Sequence, residues 1–97
     1  MAKIVYNSCY VGFSCNKAVR AKYKQIAAVD PPADYDIARD DPVLVRVVEE
    51  LGEAANSRFA NLAIKYVPKG SMWRIDEYDG TETVMTKEDY EWNIAKD

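Results

Sequence analysis

Residues 41–58, DPVLVRVVEELGEAANSR, decide how this chain folds. Asp41 can accept hydrogen bonds from the free amides of a first helical turn. Pro42 follows at the first helical position, where its missing N–H costs nothing. Leu44, Val47, Val48, Leu51 and Ala55 then recur at helical spacing and make one apolar stripe. Arg46, Glu49, Glu50 and Glu53 fall mostly on the other side. Asn56 and Ser57 supply a stop, since asparagine tolerates a left-handed cap. The rest of the chain is expected to pack on that stripe.

Working outward, residues 30–40, DPPADYDIARD, form the linker that precedes this helix. Two prolines forbid helix there and the aspartates suit turns. Before the linker, Cys15, Val19, Tyr23 and Ile26 share one helical face, and Lys17, Arg20 and Lys24 share another. Ser14 is the expected cap of that first helix, which runs to about residue 27. Residues 3–7, KIVYN, favour extended structure, and Gly12 breaks the pattern after them. Beyond the central helix, residues 59–67 alternate as a strand. Residues 72–78 make another, with Trp73 and Ile75 inward. Asp79-Gly80 is a strong hairpin signal, and residues 82–85 complete the hairpin. Thr86 with Asp89 resembles a capping box, so residues 86–97 are expected as a short helix carrying Tyr90 and Ile94, or as a tail. The reading is β-α-α-β-β-β: one α+β domain over residues 1–97, its helices on one face of a mostly antiparallel sheet.

Composition bounds what such a domain does. Hydrophobic residues are 48% of 97, enough for one core without metal or disulfide staples. No run is long enough to span a membrane. MAKIVYNS lacks the apolar centre of a signal peptide, so the expectation is a cytoplasmic protein with Cys9 and Cys15 reduced. There is no histidine, which removes the usual general base and the usual partner of cysteine at a metal. No metal site and no cofactor are expected. The net charge of −3 is unevenly spread: residues 1–29 carry +5 and residues 76–97 carry −6.

The best candidate site is the strand-to-helix junction, residues 7–14. A helix start exposes free amides and a partial positive charge. Asn7, Ser8, Tyr10 and Ser14 add donors, and Arg39 adds a guanidinium if the two helix starts lie side by side. Such a site suits a phosphate, carboxylate or nucleotide, although the spacing is neither a P-loop nor a dinucleotide fingerprint. An ordinary connecting turn is the simpler reading. The basic face of Lys17, Arg20 and Lys24 lacks interleaved aromatics in an acidic protein, so a nucleic-acid partner is unfavoured. Asp76, Glu77 and Asp79 read as solvent-facing hairpin acids, and Cys9 as a small buried hydrophobe.

The pieces IVYNSCYVGFS (4–14), DIARDDPVLVRVVEELGEAANSRFANLAI (36–64) and WRIDEYDGTETV (73–84) resemble a widespread family of small uncharacterised proteins of bacteriophage, prophage and large-virus genomes. That family usually reads CYGGF where this chain has Val11 in place of the first glycine. It usually reads Arg-His-Asp-Pro where this chain has Arg39-Asp40-Asp41-Pro42, and its segment before the central helix is usually longer. Asp40 in place of the histidine counts against an acid–base role at that position. The resemblance implies a viral context and an accessory role in the host cell cytoplasm. The expectation is a non-enzymatic protein that binds or sequesters a host protein or a small anionic ligand. The alternatives are a small nucleotide-handling enzyme using the 7–14 junction and a nucleic-acid accessory protein. Exposed edges in so small a sheet also invite a homodimer.

Overall fold

The computed structural model describes residues 2–9, 12–57 and 60–86. Strand β1 (Ala2–Asn7) is followed by helix α1 (Lys17–Ala27) and a 3-10 turn at Asp34–Asp36. Helix α2 (Pro42–Leu51) runs into a second 3-10 turn at Gly52–Ala55. Strands β2 (Leu62–Val67), β3 (Trp73–Tyr78) and β4 (Thr81–Thr86) complete the order. The expected α+β class and element order are present. The helix or tail expected over residues 86–97, with Tyr90 and Ile94, lies beyond Thr86 outside the described residues.

Helix α2 begins as its sequence dictates. Asp41 Oδ1 accepts from the Val43 amide at 2.8 Å, with Pro42 at the first turn. Most of its stripe is buried: Leu44 and Val47 are fully enclosed, Val48 and Ala55 nearly so, and Leu51 is half-buried. Its end departs from expectation. The helix stops at Leu51 because Gly52 takes φ 55°, a left-handed angle that glycine adopts without steric cost. Asn56 and Ser57 lie beyond the following 3-10 turn. There Asn56 Oδ1 accepts from the Leu62 amide at the start of β2.

Helix α1 is capped by Asn16, not Ser14. Asn16 Oδ1 accepts from Val19 N at 2.8 Å, while its Nδ2 donates to the carbonyls of Ala54 and Asn56. An amide can cap one helix and tie down the turn after the other at once. A serine hydroxyl has a single proton to give. The helix closes on Ala28, whose φ of 62° is left-handed without glycine's freedom.

The strands form two antiparallel pairs, β1–β2 and β3–β4, where one sheet was expected. The helices cover one face of β1–β2, burying Val5, Leu62, Val19, Tyr23 and the α2 stripe, with Ile37 of the linker added. The hairpin covers the other face. Val84 packs with Ile4 and Val67 there, and Trp73 and Ile75 lean in as expected. The reason for two pairs lies at the second edge of β1. Its Val5 amide donates to the Arg39 carbonyl, and its Asn7 amide to the Glu82 carboxylate, each at 2.8 Å. A loop carbonyl and a side chain therefore hold the amides that a third backbone ladder would have used.

Left-handed backbone costs a residue with a Cβ about 1–2 kcal/mol. Ala28→Gly should therefore raise stability by about 1 kcal/mol, seen as a higher urea midpoint with an unchanged slope.

Candidate functional site

The 7–14 junction is built around Asn7, which is fully buried. Its Oδ1 accepts from the amides of Cys9 and Asn61, and its Nδ2 donates to the carbonyls of Cys9 and Gly80. Both donors and two lone pairs are thus used, the full capacity of an asparagine amide. One side chain ties together β1, the loop before β2 and the tip of the β3–β4 hairpin.

Arg39 reaches the same place, although the helix starts do not lie side by side: the α1 cap Asn16 bonds the turn after the end of α2, and Tyr23, later in α1, meets the α2 cap Asp41. Its guanidinium lies 3.6 Å from the centroid of the Phe13 ring. Both its terminal nitrogens donate to Glu82, at 2.5 Å to Oε1 and 2.8 Å to Oε2. Glu82 Oε1 also takes the Asn7 amide. The Glu82 side chain is only 5% exposed and that of Arg39 19%. A forked, charge-assisted pair in this setting is strong and geometrically exact about its partner. The anion that Arg39 was expected to attract is the protein's own Glu82.

The start of α1 is similarly occupied. Asp34, from the linker, accepts from the Cys15 amide with Oδ2 at 3.2 Å and from Arg20 with Oδ1 at 2.8 Å. Arg20 donates a second bond to the Pro31 carbonyl. The Cys15 thiol is pushed up to about 12 by burial, with the Asp34 charge adding to the effect. It stays protonated at neutral pH and is no nucleophile. Cys9 is a free, half-buried thiol.

Of the residues singled out in the sequence, Asn7 and Arg39 come together. Ser8 is exposed, and its hydroxyl and amide both donate to the Asn61 carbonyl. Ser14 is half-buried and caps no helix. Tyr10 lies outside the described residues. Gly12 has a φ of 123°, the positive angle its residue type permits. On the basic face, Lys17 is exposed, Arg20 is bound to Asp34, and Lys24 sits 3.2 Å from Asp30. The charge asymmetry between the chain ends is thus offset locally: linker acids meet α1 cations, and Arg39 meets the hairpin. Among the described residues, no group of histidine, cysteine, aspartate or glutamate side chains is arranged to hold a metal ion.

Glu82, Phe13, Asn61 and Asp34 were not singled out. Glu82 carried a readable signal. It alternates with Val84 and Thr86 on the inward face of β4, and a carboxylate at an inward position needs a buried cation. Towards the tip of the hairpin, an open concavity is lined by Asp76, Glu77, Tyr78, Asp79, Thr81 and Thr83. Tyr78 is 82% exposed there.

Removing Glu82 leaves a cation without its partner, so Glu82→Ala should cost about 3–5 kcal/mol. Arg39→Ala should cost a similar amount. In chemical denaturation the double variant should lose clearly less than the two single losses combined. A strictly additive result would show that the pair contributes no coupling.

Tyr23 offers a pH test of the contact between the helices. Its hydroxyl donates to Asp41 Oδ2 at 2.6 Å. That bond, then burial, raises the phenol from 10.0 to about 12. The fold holds this proton more tightly than the unfolded chain does. Its contribution is therefore complete below pH 10 and drains away as pH rises from 10 towards about 12. The stability difference between wild type and Tyr23→Phe should shrink over that interval and stay flat below it.

Searches against protein-family models, curated proteins and solved structures return no match to this chain.

Proposed function

We propose that this chain is a non-enzymatic binding module of the viral kind its sequence resembles, acting on a host protein in the host cytoplasm through its surface. One observation carries the choice of surface over pocket. The two features of the junction suited to an external anion already hold internal carboxylates: Glu82 on Arg39, and Asp34 on the Cys15 amide and Arg20. A phosphate or nucleotide would have to displace them. The same occupancy counts against the nucleotide-handling enzyme, since Asn7, Arg39, Arg20 and Asp34 are already engaged with one another's elements. A nucleic-acid role is weakened too, because two of the three cations on the α1 face are paired with linker acids.

The outward side of the molecule suits a protein partner better. Tyr78 and Met72, at 82% and 70% exposure, stand on and beside β3, and Tyr35 projects from the linker. Aromatic and methionine side chains are the types enriched where proteins meet. No helix among the described residues is long and apolar enough to cross a membrane.

The deciding experiment compares anion binding in wild type and Asp34→Ala. Phosphate, ADP and ATP should leave the wild-type melting temperature unchanged. Phosphate should raise that of Asp34→Ala, in which the Cys15 amide and Arg20 are released. Stabilisation of the wild type, with NMR shifts at Ser8, Ser14 and Arg39, would instead restore the nucleotide-handling reading.

A further inference from the structure

We infer that Asp79–Gly80 is a site of spontaneous covalent modification, converting to an isoaspartyl linkage in the folded protein. We further infer that this conversion unlatches the β3–β4 hairpin from the buried Asn7.

The turn exposes the Asp79 carboxylate and sets it next to Gly80, which is itself buried. Asp79 and Gly80 are the two residues between Tyr78 and Thr81, the last pair of the ladder. Their φ angles of 51° and 85° are the positive pair of a type I′ turn. Asp79 is exposed, and its carboxylate has no hydrogen-bonding or ionic partner among the described residues. Gly80 has no Cβ to crowd its nitrogen, and its amide lies in the turn, outside the ladder that closes at Tyr78 and Thr81. Asp79 also bears the left-handed backbone that aspartate tolerates less well than glycine.

The step balances without any co-reactant but water. The Gly80 amide nitrogen bonds to Cγ of Asp79, and the carboxyl hydroxyl leaves with the amide proton as water. The product is a five-membered succinimide. Water then opens the ring. Attack at Cγ restores aspartate, whereas attack at the main-chain carbonyl carbon leaves the chain running through Cγ, with a free α-carboxylate. Overall composition is unchanged. Among the described residues, the two asparagines that precede a serine are restrained: the Asn7 amide makes four bonds, and the Asn56 oxygen is held by the Leu62 amide.

The consequence follows from what the turn touches. The Gly80 carbonyl accepts from Asn7 Nδ2 at 2.9 Å, and Gly80 itself is buried. An isoaspartyl linkage adds one methylene to the main chain within residue 79, just before the residue that bears that carbonyl. The carbonyl moves, and Asn7 loses a partner it cannot replace from solvent. Change at an exposed turn therefore reaches the group that joins the hairpin to β1.

The test incubates the intact folded protein at neutral pH and 37 °C. Isoaspartate is measured by enzymatic methyl transfer to the new α-carboxylate, and its position by mass spectrometry of the 79–80 peptide bond. The expected result is methyl acceptance that grows with time, maps to residue 79 alone and is absent from Asp79→Gly, a variant that suits the same turn. NMR of the aged protein should show the Asn7 side-chain amide shifted along with Gly80. Two results would overturn the proposal. One is a folded protein that gains no isoaspartate while a free peptide of residues 73–86 does, meaning that the turn protects the bond. The other is isoaspartate at residue 79 with an unmoved Asn7 amide, meaning that the lesion never reaches the latch.

Discussion

The Glu82 carboxylate is the constraint on which the arrangement of this fold depends. It is almost fully buried, so it must be paired and hydrogen-bonded or it would oppose folding by several kcal/mol. Its partners come from distant parts of the chain: Arg39 from the linker before α2, and the Asn7 amide from the end of β1. Meeting that requirement fixes where the hairpin sits against β1 and where the linker crosses it. Hydrophobic contact alone would be less exacting. Val84 against Ile4 and Val67 tolerates small shifts, whereas a forked guanidinium–carboxylate pair does not. The apolar surfaces supply the driving force, and Glu82 selects one geometry among those they would accept. That division of labour is our hypothesis for this fold, and a double variant that folds without the pair would test it.

A second consequence is a like-charge pair. Glu77 stands directly across the hairpin from Glu82. Two carboxylates facing each other on adjacent strands normally destabilise by a few tenths to about 1 kcal/mol. Here the Arg39 guanidinium neutralises Glu82, and Glu77 remains exposed to water. Arg39 thus offsets the repulsion that Glu77 would otherwise meet across the hairpin. Tyr23 and Asp41 make the parallel connection on the helical side, where the α2 cap also receives the α1 phenol. In both cases a group that serves local structure is shared with a distant element.

What could be read from the sequence follows the range of the forces involved. Helix α2 was legible because its cap, its proline and its stripe lie within a few residues of one another. The Asp79–Gly80 turn was legible for the same reason. The end of α2 was misplaced because Gly52 looked like an interior glycine and Asn56 like a cap, and only the backbone angle at Gly52 separates the two. Asn16 was passed over for Ser14 because its advantage lies in the carbonyls of Ala54 and Asn56, almost forty residues away. The division into two strand pairs was not legible at all. It depends on Glu82 meeting the Asn7 amide across 75 residues. The candidate site was half legible. Asn7 and Arg39 meet at Glu82, though not through neighbouring helix starts, and that carboxylate was not foreseen, although its place on the inward face of β4 marked it.

The difference between an anion-binding site and an internally satisfied one is a matter of concentration. An internal carboxylate already positioned on its donors competes as though present at far above the millimolar level typical of short flexible tethers. Cellular anions must overcome that advantage as well as the loss of a buried ion pair at Arg39. The balance is less severe at Asp34, which is about one-third exposed and sits on a short 3-10 turn. It is most severe at Glu82, enclosed by β1, the linker and the hairpin. The donors that give the 7–14 junction its resemblance to an anion pocket are therefore the ones most committed to holding the fold together. What remains exposed to another molecule is the outer surface, Tyr35, Tyr78, Met72 and Asp79 among it, none of which the core requires.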